Sequence, residues 1–348
     1  MRRVSRITVA GVATAALALT VSACGSSSSE SSSTDSKNLG LALAYDIGGR
    51  GDQSFNDAAT AGMEKADKEF GYKSRAVEPQ DGESEADKVE RLEALAKQGY
   101  DPVIGVGFAY ASAVKEVSAK FPKTTFGIVD DEQTKADNVA DLVFSEEQAS
   151  YLAGVAAALS TKSNVVGFVG GVDVPLIHKF GAGFKQGVED TKKGVTVKEQ
   201  YLTETAAEGG FSSPDKGESA AEGMIDDKAD VIYAAAGLSG QGVIKAASAN
   251  KIWAIGVDSD QYKQDALKAY KASILTSAMK NVEGAVYDLA NSVKDGKPET
   301  GVIRGSLSNG GVSLSNSNPE FANNAEIQAA VKKASEAIIA GTIKVKTS

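Results

Sequence analysis

Within the stretch Asp46-Ile-Gly-Gly-Arg-Gly-Asp52-Gln-Ser-Phe55-Asn56 an acid stands directly beyond an apolar run, glycines permit tight turns, and an aromatic adjoins an amide. A flat polar ligand needs those parts. Phe55 offers a stacking face, and stacking of a base on an aromatic ring is worth about 1–3 kcal/mol. Asn56 carries both a donor and an acceptor for a heterocycle edge, and Asp46 can accept from an amine or a ring N–H. A purely structural account competes: Ser54 caps the helix that follows and Phe55 packs into the core.

Two further acids come from an internal echo. Residues 101–131 run Asp-Pro-Val-Ile-Gly-Val-Gly-Phe, a helix, then Thr-Thr-Phe-Gly-Ile-Val-Asp-Asp; residues 229–260 run Ala-Asp-Val-Ile-Tyr-Ala-Ala-Ala-Gly, a helix, then Trp-Ala-Ile-Gly-Val-Asp-Ser-Asp. Each reads strand, glycine-containing loop, helix, strand, acid, so Asp130 and Asp258 fall at equivalent strand ends. Ligands of open α/β sheets bind outside the carboxyl ends of the strands. Two such lobes facing one another aim both carboxylates into one cleft, unless the match is a chance likeness of βαβ units.

The elements that must position these residues are legible from Leu39 onward. Residues 39–45, 103–106, 124–129, 139–144, 165–169, 231–235, 252–257 and 273–277 are short apolar runs, continuous rather than alternating, as strands covered on both faces are. Ser84-Glu85-Ala86-Asp87 opens a helix whose apolar face is Val89, Leu92, Leu95 and Ala96 and which Gly99 stops. The alternation of strand and helix predicts an α/β fold with parallel sheets. Residues 318–348, with Ile327, Val331, Ile338 and Ile339, predict a final amphipathic helix ending in a short strand or coil.

At the N-terminus Arg2, Arg3 and Arg6 precede an uncharged apolar run ending in Val21-Ser22-Ala23-Cys24. The run is short for a membrane span, and small residues stand just before a cysteine, so 1–23 reads as a signal peptide cleaved before a lipidated Cys24. The stretch resembles the lipobox of bacterial lipoproteins. Residues 24–38 are the lipidated cysteine and a Ser-rich tether that cannot bury apolar area. Cys24 is the only cysteine, which excludes an intramolecular disulfide in the folded part. The formal charge of −9 becomes −12 when the three arginines leave with the signal, and an acidic chain is a poor partner for nucleic acid.

Taken together, several stretches are similar to the basic membrane protein family, the lipoproteins that serve as nucleoside-binding receptors of ABC importers. They are the loop from Asp46 to Asn56, Phe126-Gly-Ile-Val-Asp130-Asp131, Glu146-Glu-Gln-Ala-Ser-Tyr-Leu-Ala-Gly154, Val166-Gly-Phe-Val-Gly-Gly171, Phe180-Gly-Ala-Gly-Phe184, Gly237-Leu-Ser-Gly-Gln-Gly242 and Ile255-Gly-Val-Asp258-Ser-Asp-Gln261. The resemblance implies a type I periplasmic-binding-protein fold: two Rossmann-like lobes joined by three crossings, with the ligand at the hinge. It divides the chain into an N-terminal lobe of 39–145 plus about 259–290 and a C-terminal lobe of 146–258 plus about 291–348. Carried over residue by residue, it implies that Phe55 and Phe211 hold a purine base and that Asp46 and Asn56 read its edge. Asp258 with Lys280 and Asp130 then bind ribose hydroxyls, and Gly237 lines the cleft. Phe180 or Phe184 is the alternative to Phe211. The implied protein is a monomer on the outer face of the cell membrane, partnered by an ABC permease and ATPase. This chain departs from the family at Arg50-Gly51, commonly Ile or Val followed by Asp, and at His178-Lys179, where Arg is commoner.

Other chemistry is poorly served. Gly237-Leu-Ser-Gly-Gln-Gly242 matches neither dinucleotide nor P-loop spacing, His178 has no nucleophile partner, and the acid pairs Asp130-Asp131 and Asp226-Asp227 lack EF-hand or zinc spacing, so no metal or cofactor is expected. Two rivals stand beside the nucleoside receptor. A type I receptor for a sugar or other metabolite would commonly stack its ligand on Trp, and the single Trp253 lies in an apolar run. A nucleoside-hydrolysing enzyme would need a metal-chelating acid cluster, for which Gly51 removes one acid.

Overall fold

The computed structural model describes residues 38–80 and 82–348, so the signal peptide, Cys24 and all of the tether but Asn38 lie outside the described residues. The buried apolar runs form strands β1 (Ala42–Ala44), β3 (Val103–Gly105), β4 (Phe126–Val129) and β5 (Val139–Phe144), with β2 (Arg75–Val77) on the margin. Helices α1 (Phe55–Phe70), α2 (Glu85–Gln98) and α3 (Ala111–Lys120) connect them. α2 starts as its sequence dictates, with a capping box between Ser84 and Asp87, and ends on Gly99 at φ 93. Side chains of β1 alternate between two cores. Ala42 and Ala44 meet Leu92, Leu95, Val114 and Val117 of α2 and α3, while Leu41 and Leu43 share a core with Ala59 and Met63 of α1.

The chain then repeats the plan. A second sheet is built from β6 (Val165–Val172), β7 (Thr196–Thr203), β8 (Val231–Ala235), β9 (Trp253–Asp258) and β10 (Ile274–Lys280) with α4 (Glu146–Ser160), α5 (Pro175–Thr191), α6 (Pro214–Asp226) and α7 (Gly240–Asn250). The chain continues through α8 (Val282–Lys294), β11 (Gly301–Gly305), β12 (Val312–Leu314), α9 (Pro319–Ala322) and α10 (Ala325–Ile339). The six-stranded sheets have the orders β11-β5-β4-β3-β1-β2 and β12-β10-β9-β8-β6-β7. Every pairing is parallel except that of β12 with β10.

These pairings correct the expected lobe boundaries after β9. The resemblance puts about 259–290 in the first lobe, but β10 runs parallel to β9 with Ala278 opposite Val257, so the chain stays in the second lobe through Lys280. It puts about 291–348 in the second lobe, but β11 pairs with β5 in the first. α8 packs on α1 in the first lobe, and only β12, α9 and α10 return to the second. The three crossings therefore fall between β5 and α4, between β10 and α8, and between β11 and β12. A buried apolar strand carries no label for the sheet it will join, so its composition could not place β10.

Candidate ligand-binding cleft

The carboxyl ends of both sheets converge on one cavity. Asp46, Phe55, Asn56, Asp130, Phe211, Gly237, Asp258 and Lys280 all line it. Asp46 follows β1 and Asp130 follows β4; Gly237 follows β8, Asp258 ends β9 and Lys280 ends β10. Leu176, Ile177 and Phe180 of α5 add an apolar wall. Phe184, the other aromatic weighed against Phe211, is fully buried beside Phe168 and Tyr233 and does not reach the cavity.

The first loop is held by Asp52, an acid whose role its spacing does not announce. Asp52 is buried; its Oδ1 accepts from the backbone N–H of Ser54 (2.9 Å) and Asp57 (3.1 Å), and its Oδ2 from that of Asn56 (2.8 Å). It therefore satisfies the open N–H groups where α1 begins. The competing account in which Ser54 caps this helix does not hold: Ser54 occupies the cap position but its hydroxyl makes no cap bond. Asn56 Oδ1 accepts from Asp46 N at 3.2 Å and Asn56 Nδ2 donates to Asp52 Oδ2 at 3.2 Å. With its carbonyl engaged, Asn56 faces the cavity with one amide hydrogen to give. Phe55 is half-buried, packed against the core with part of the ring on the cavity, so both accounts of it hold in part. Beside the loop, Gly107 (φ 110) is required, because a Cβ there would lie 2.2 Å from Asp46 Oδ2.

Deeper in the cleft one lysine lies between acids of different lobes. Lys280 Nζ donates to Asp130 Oδ2 at 2.6 Å and lies 3.7 Å from Asp258 Oδ1. It also sits 4.6 Å from the centroid of the Phe55 ring. Asp258 Oδ2 accepts from Ser54 Oγ at 2.6 Å. Each carboxylate is thus half satisfied: Asp130 Oδ1 and Asp258 Oδ1 are buried without a hydrogen-bond partner. Both aspartates have a left-handed backbone, φ 68 and φ 62, which Asp tolerates better than most residues. Burial pushes the Asp46 carboxyl up to about 7 and that of Asp52 to about 6. Burial also raises Asp258, against the opposing pull of Lys280. Burial alone would lower Lys280, but Asp130, Asp258 and Glu146 raise it, so it stays charged.

Phe211 packs by close backbone approach. Its carbonyl lies 3.3 Å from where a Cβ would stand on Gly48 of the first lobe and on Gly237 of the second, and its ring 2.4 Å from the corresponding point on Gly171. Phe108 and Phe180 also line the cavity. Glu146, which opens α4 at the first crossing, is buried 3.8 Å from Lys179 Nζ, and burial raises it to about 8. Neither its type nor its spacing marked it. His178 is half-buried, 2.5 Å from Asp173, and off the cavity.

Two parallel α/β lobes with three crossings and a cavity at the facing strand ends define a type I solute-binding protein. A solute-binding protein of an ABC transporter system from Aeropyrum pernix matches with a TM-score of 0.77 and 26% identity, covering 88% of this chain and 93% of that one. A second, from Conexibacter woesei, shares the fold with a TM-score of 0.68 at 23% identity, covering 88% and 99%. The chain belongs to the family of PnrA-like ABC transporter substrate-binding proteins, whose model matches residues 41–348. It is 36% identical to a CD4+ T-cell-stimulating antigen of Listeria monocytogenes (89% of this chain, 88% of the relative). It is also 34% identical to the ABC transporter nucleoside-binding protein BmpA of Lactococcus lactis (97% and 98%). An uncharacterized lipoprotein of Pyrococcus horikoshii is 33% identical over 79% of this chain and 68% of its own length.

Proposed function

We propose that this protein is a lipid-anchored extracytoplasmic receptor that closes on a purine nucleoside and delivers it to an ABC permease and ATPase. The observation that carries the reading is the pair of unpartnered oxygens, Asp130 Oδ1 and Asp258 Oδ1, on either side of the Lys280 ammonium. A buried carboxylate oxygen without a donor is costly, and vicinal ribose hydroxyls supply two donors together with acceptors for the ammonium. Phe55 and Phe211 stack the base, while Asp46 accepts its ring N–H and Asn56 donates to its neighbouring acceptor. The name of the Lactococcus relative agrees with this ligand class. The anchor rests on the Val-Ser-Ala-Cys24 stretch, and the lipoprotein name of the Pyrococcus relative agrees with it.

The test is calorimetric titration of the chain from Gly25 onward, refolded to remove carried ligand, with adenosine, guanosine, inosine, cytidine, ribose and 2′-deoxyguanosine. Saturable purine nucleoside binding, about tenfold or more weaker for the deoxy form because a hydrogen bond to a charged group is missing, supports the reading. Heat from sugars alone, or from nothing offered, overturns it and leaves a substrate-binding protein for another solute.

A further inference from the structure

Asp258 is aimed by a residue that does not line the cavity. Ser54 belongs to the first lobe and is fully buried, yet its hydroxyl reaches across the lobe boundary to Asp258 Oδ2 at 2.6 Å. The carbonyl of Val257 is a second, longer acceptor at 3.3 Å, so the single hydroxyl hydrogen goes chiefly to the carboxylate. Among the described residues, the two nearest candidates are both engaged elsewhere. Lys280 is 3.7 Å from the opposite oxygen and is committed to Asp130, and the nearby Ser259 hydroxyl is spent on the Ser54 carbonyl at 2.7 Å.

We propose that Ser54 is a positioning residue for ligand recognition: its bond fixes the Asp258 carboxylate across the lobes so that Oδ1 alone faces the ligand hydroxyl. The inference rests on the nucleoside reading for the identity of that hydroxyl, but not for the bond itself. Without the Ser54 hydroxyl, Asp258 loses its one close donor while Lys280 stays committed to Asp130, and the buried carboxyl takes a proton more readily. The sequence motif Asp52-Gln-Ser54-Phe55-Asn56 then divides its labour: Asp52 sets the helix start and Asn56, Ser54 sets Asp258, and Phe55 and Asn56 meet the ligand.

The experiment uses Ser54→Ala, Ser54→Cys, which fills similar space with a weaker donor, and Ser259→Ala, which removes a neighbouring cross-lobe bond that does not touch Asp258. In the ligand-free proteins, the Asp258 carboxyl is titrated by carbon-13 NMR. Its midpoint moves to higher pH in both Ser54 variants and stays in place in Ser259→Ala; an unmoved midpoint in a folded Ser54 variant overturns the proposal whatever the ligand is. Titration with guanosine and its 2′- and 3′-deoxy forms then reads recognition. The wild type discriminates against both deoxy forms, and the Ser54 variants lose about tenfold of that discrimination for the hydroxyl that Asp258 receives. Equal discrimination in all variants overturns the proposal. A wild type that binds no nucleoside sinks the nucleoside reading alone, and the NMR midpoint still decides the role of Ser54.

Discussion

Acids crowd the cleft around Lys280, and what each can do depends on whether it holds a proton. Asp46, raised by burial to about 7, is half protonated near neutrality. One of its oxygens takes the Ile47 N–H at 2.7 Å, so the other is the acceptor left for a ligand. Guanosine and inosine offer a ring N–H, which the ionised carboxyl accepts far more strongly than the protonated one. The competent fraction falls tenfold for each pH unit below about 7, and the apparent Kd rises with it. Guanosine affinity followed by calorimetry should therefore weaken tenfold or more between pH 8 and 5.5. Asp46→Asn, which accepts without titrating, should bind less tightly but with a flatter profile. A wild-type profile flat over that range would show that Asp46 does not accept from the ligand in its ionised form.

At the level of elements, α1 is the piece on which the site depends, since its first turn carries Phe55 and Asn56 and is tied down by Asp52. Asp52→Ala strands three N–H groups and frees the Asn56 amide, so chemical denaturation should report a loss of about 1–2 kcal/mol, the usual cost of a lost cap. Binding should weaken beyond what the stability loss explains; intact affinity would mean that Asn56 does not need its anchor. How far the elements could be read from sequence follows the same physics. Buried central strands were legible because both faces are covered and their residues are apolar, and β5 and β8 fall on the expected residues. The strands not expected, β2, β7, β11 and β12, are the four sheet edges, where one side meets solvent and polar residues such as Lys198, Glu199 and Arg304 are admitted. Strand-end acids were legible through the internal echo, and Asp130 and Asp258 share even their left-handed backbone. The Ser54 bond to Asp258 joins residues 204 apart in the chain, and no local pattern announces such a contact.

For the whole molecule, the same buried acids act on folding in the opposite sense to binding. Asp46, Asp52 and Glu146 have folded values of about 7, 6 and 8, above the ordinary carboxylate range, so the folded chain holds more protons than the unfolded one between about pH 4 and 8. Stability of the ligand-free protein should fall as pH rises through that window, seen as a melting temperature lower at pH 8 than at pH 5.5. A rising melting temperature would mean that these carboxyls are not buried in the ligand-free molecule. That possibility bears directly on closure. The bonds that join the lobes include Ser54 Oγ on Asp258, Ser259 Oγ on the Ser54 carbonyl, Gln261 Nε2 on that of Gln53, Gln241 Nε2 on that of Gly51, and Lys280 on Asp130. Against these bonds stand the buried, unpartnered oxygens of Asp130 and Asp258, a cost that lobes drawn apart would avoid by letting water reach them. A ligand shifts such an equilibrium only by its preference for one state, and the donors that satisfy those oxygens supply that preference. Guanosine at saturation should therefore reduce the radius of gyration measured by small-angle X-ray scattering, whereas 2′,3′-dideoxyguanosine at equal saturation should contract the protein less. Equal contraction by both would assign closure to stacking on Phe55 and Phe211, and leave the carboxylates to tell one ligand from another without drawing the lobes together.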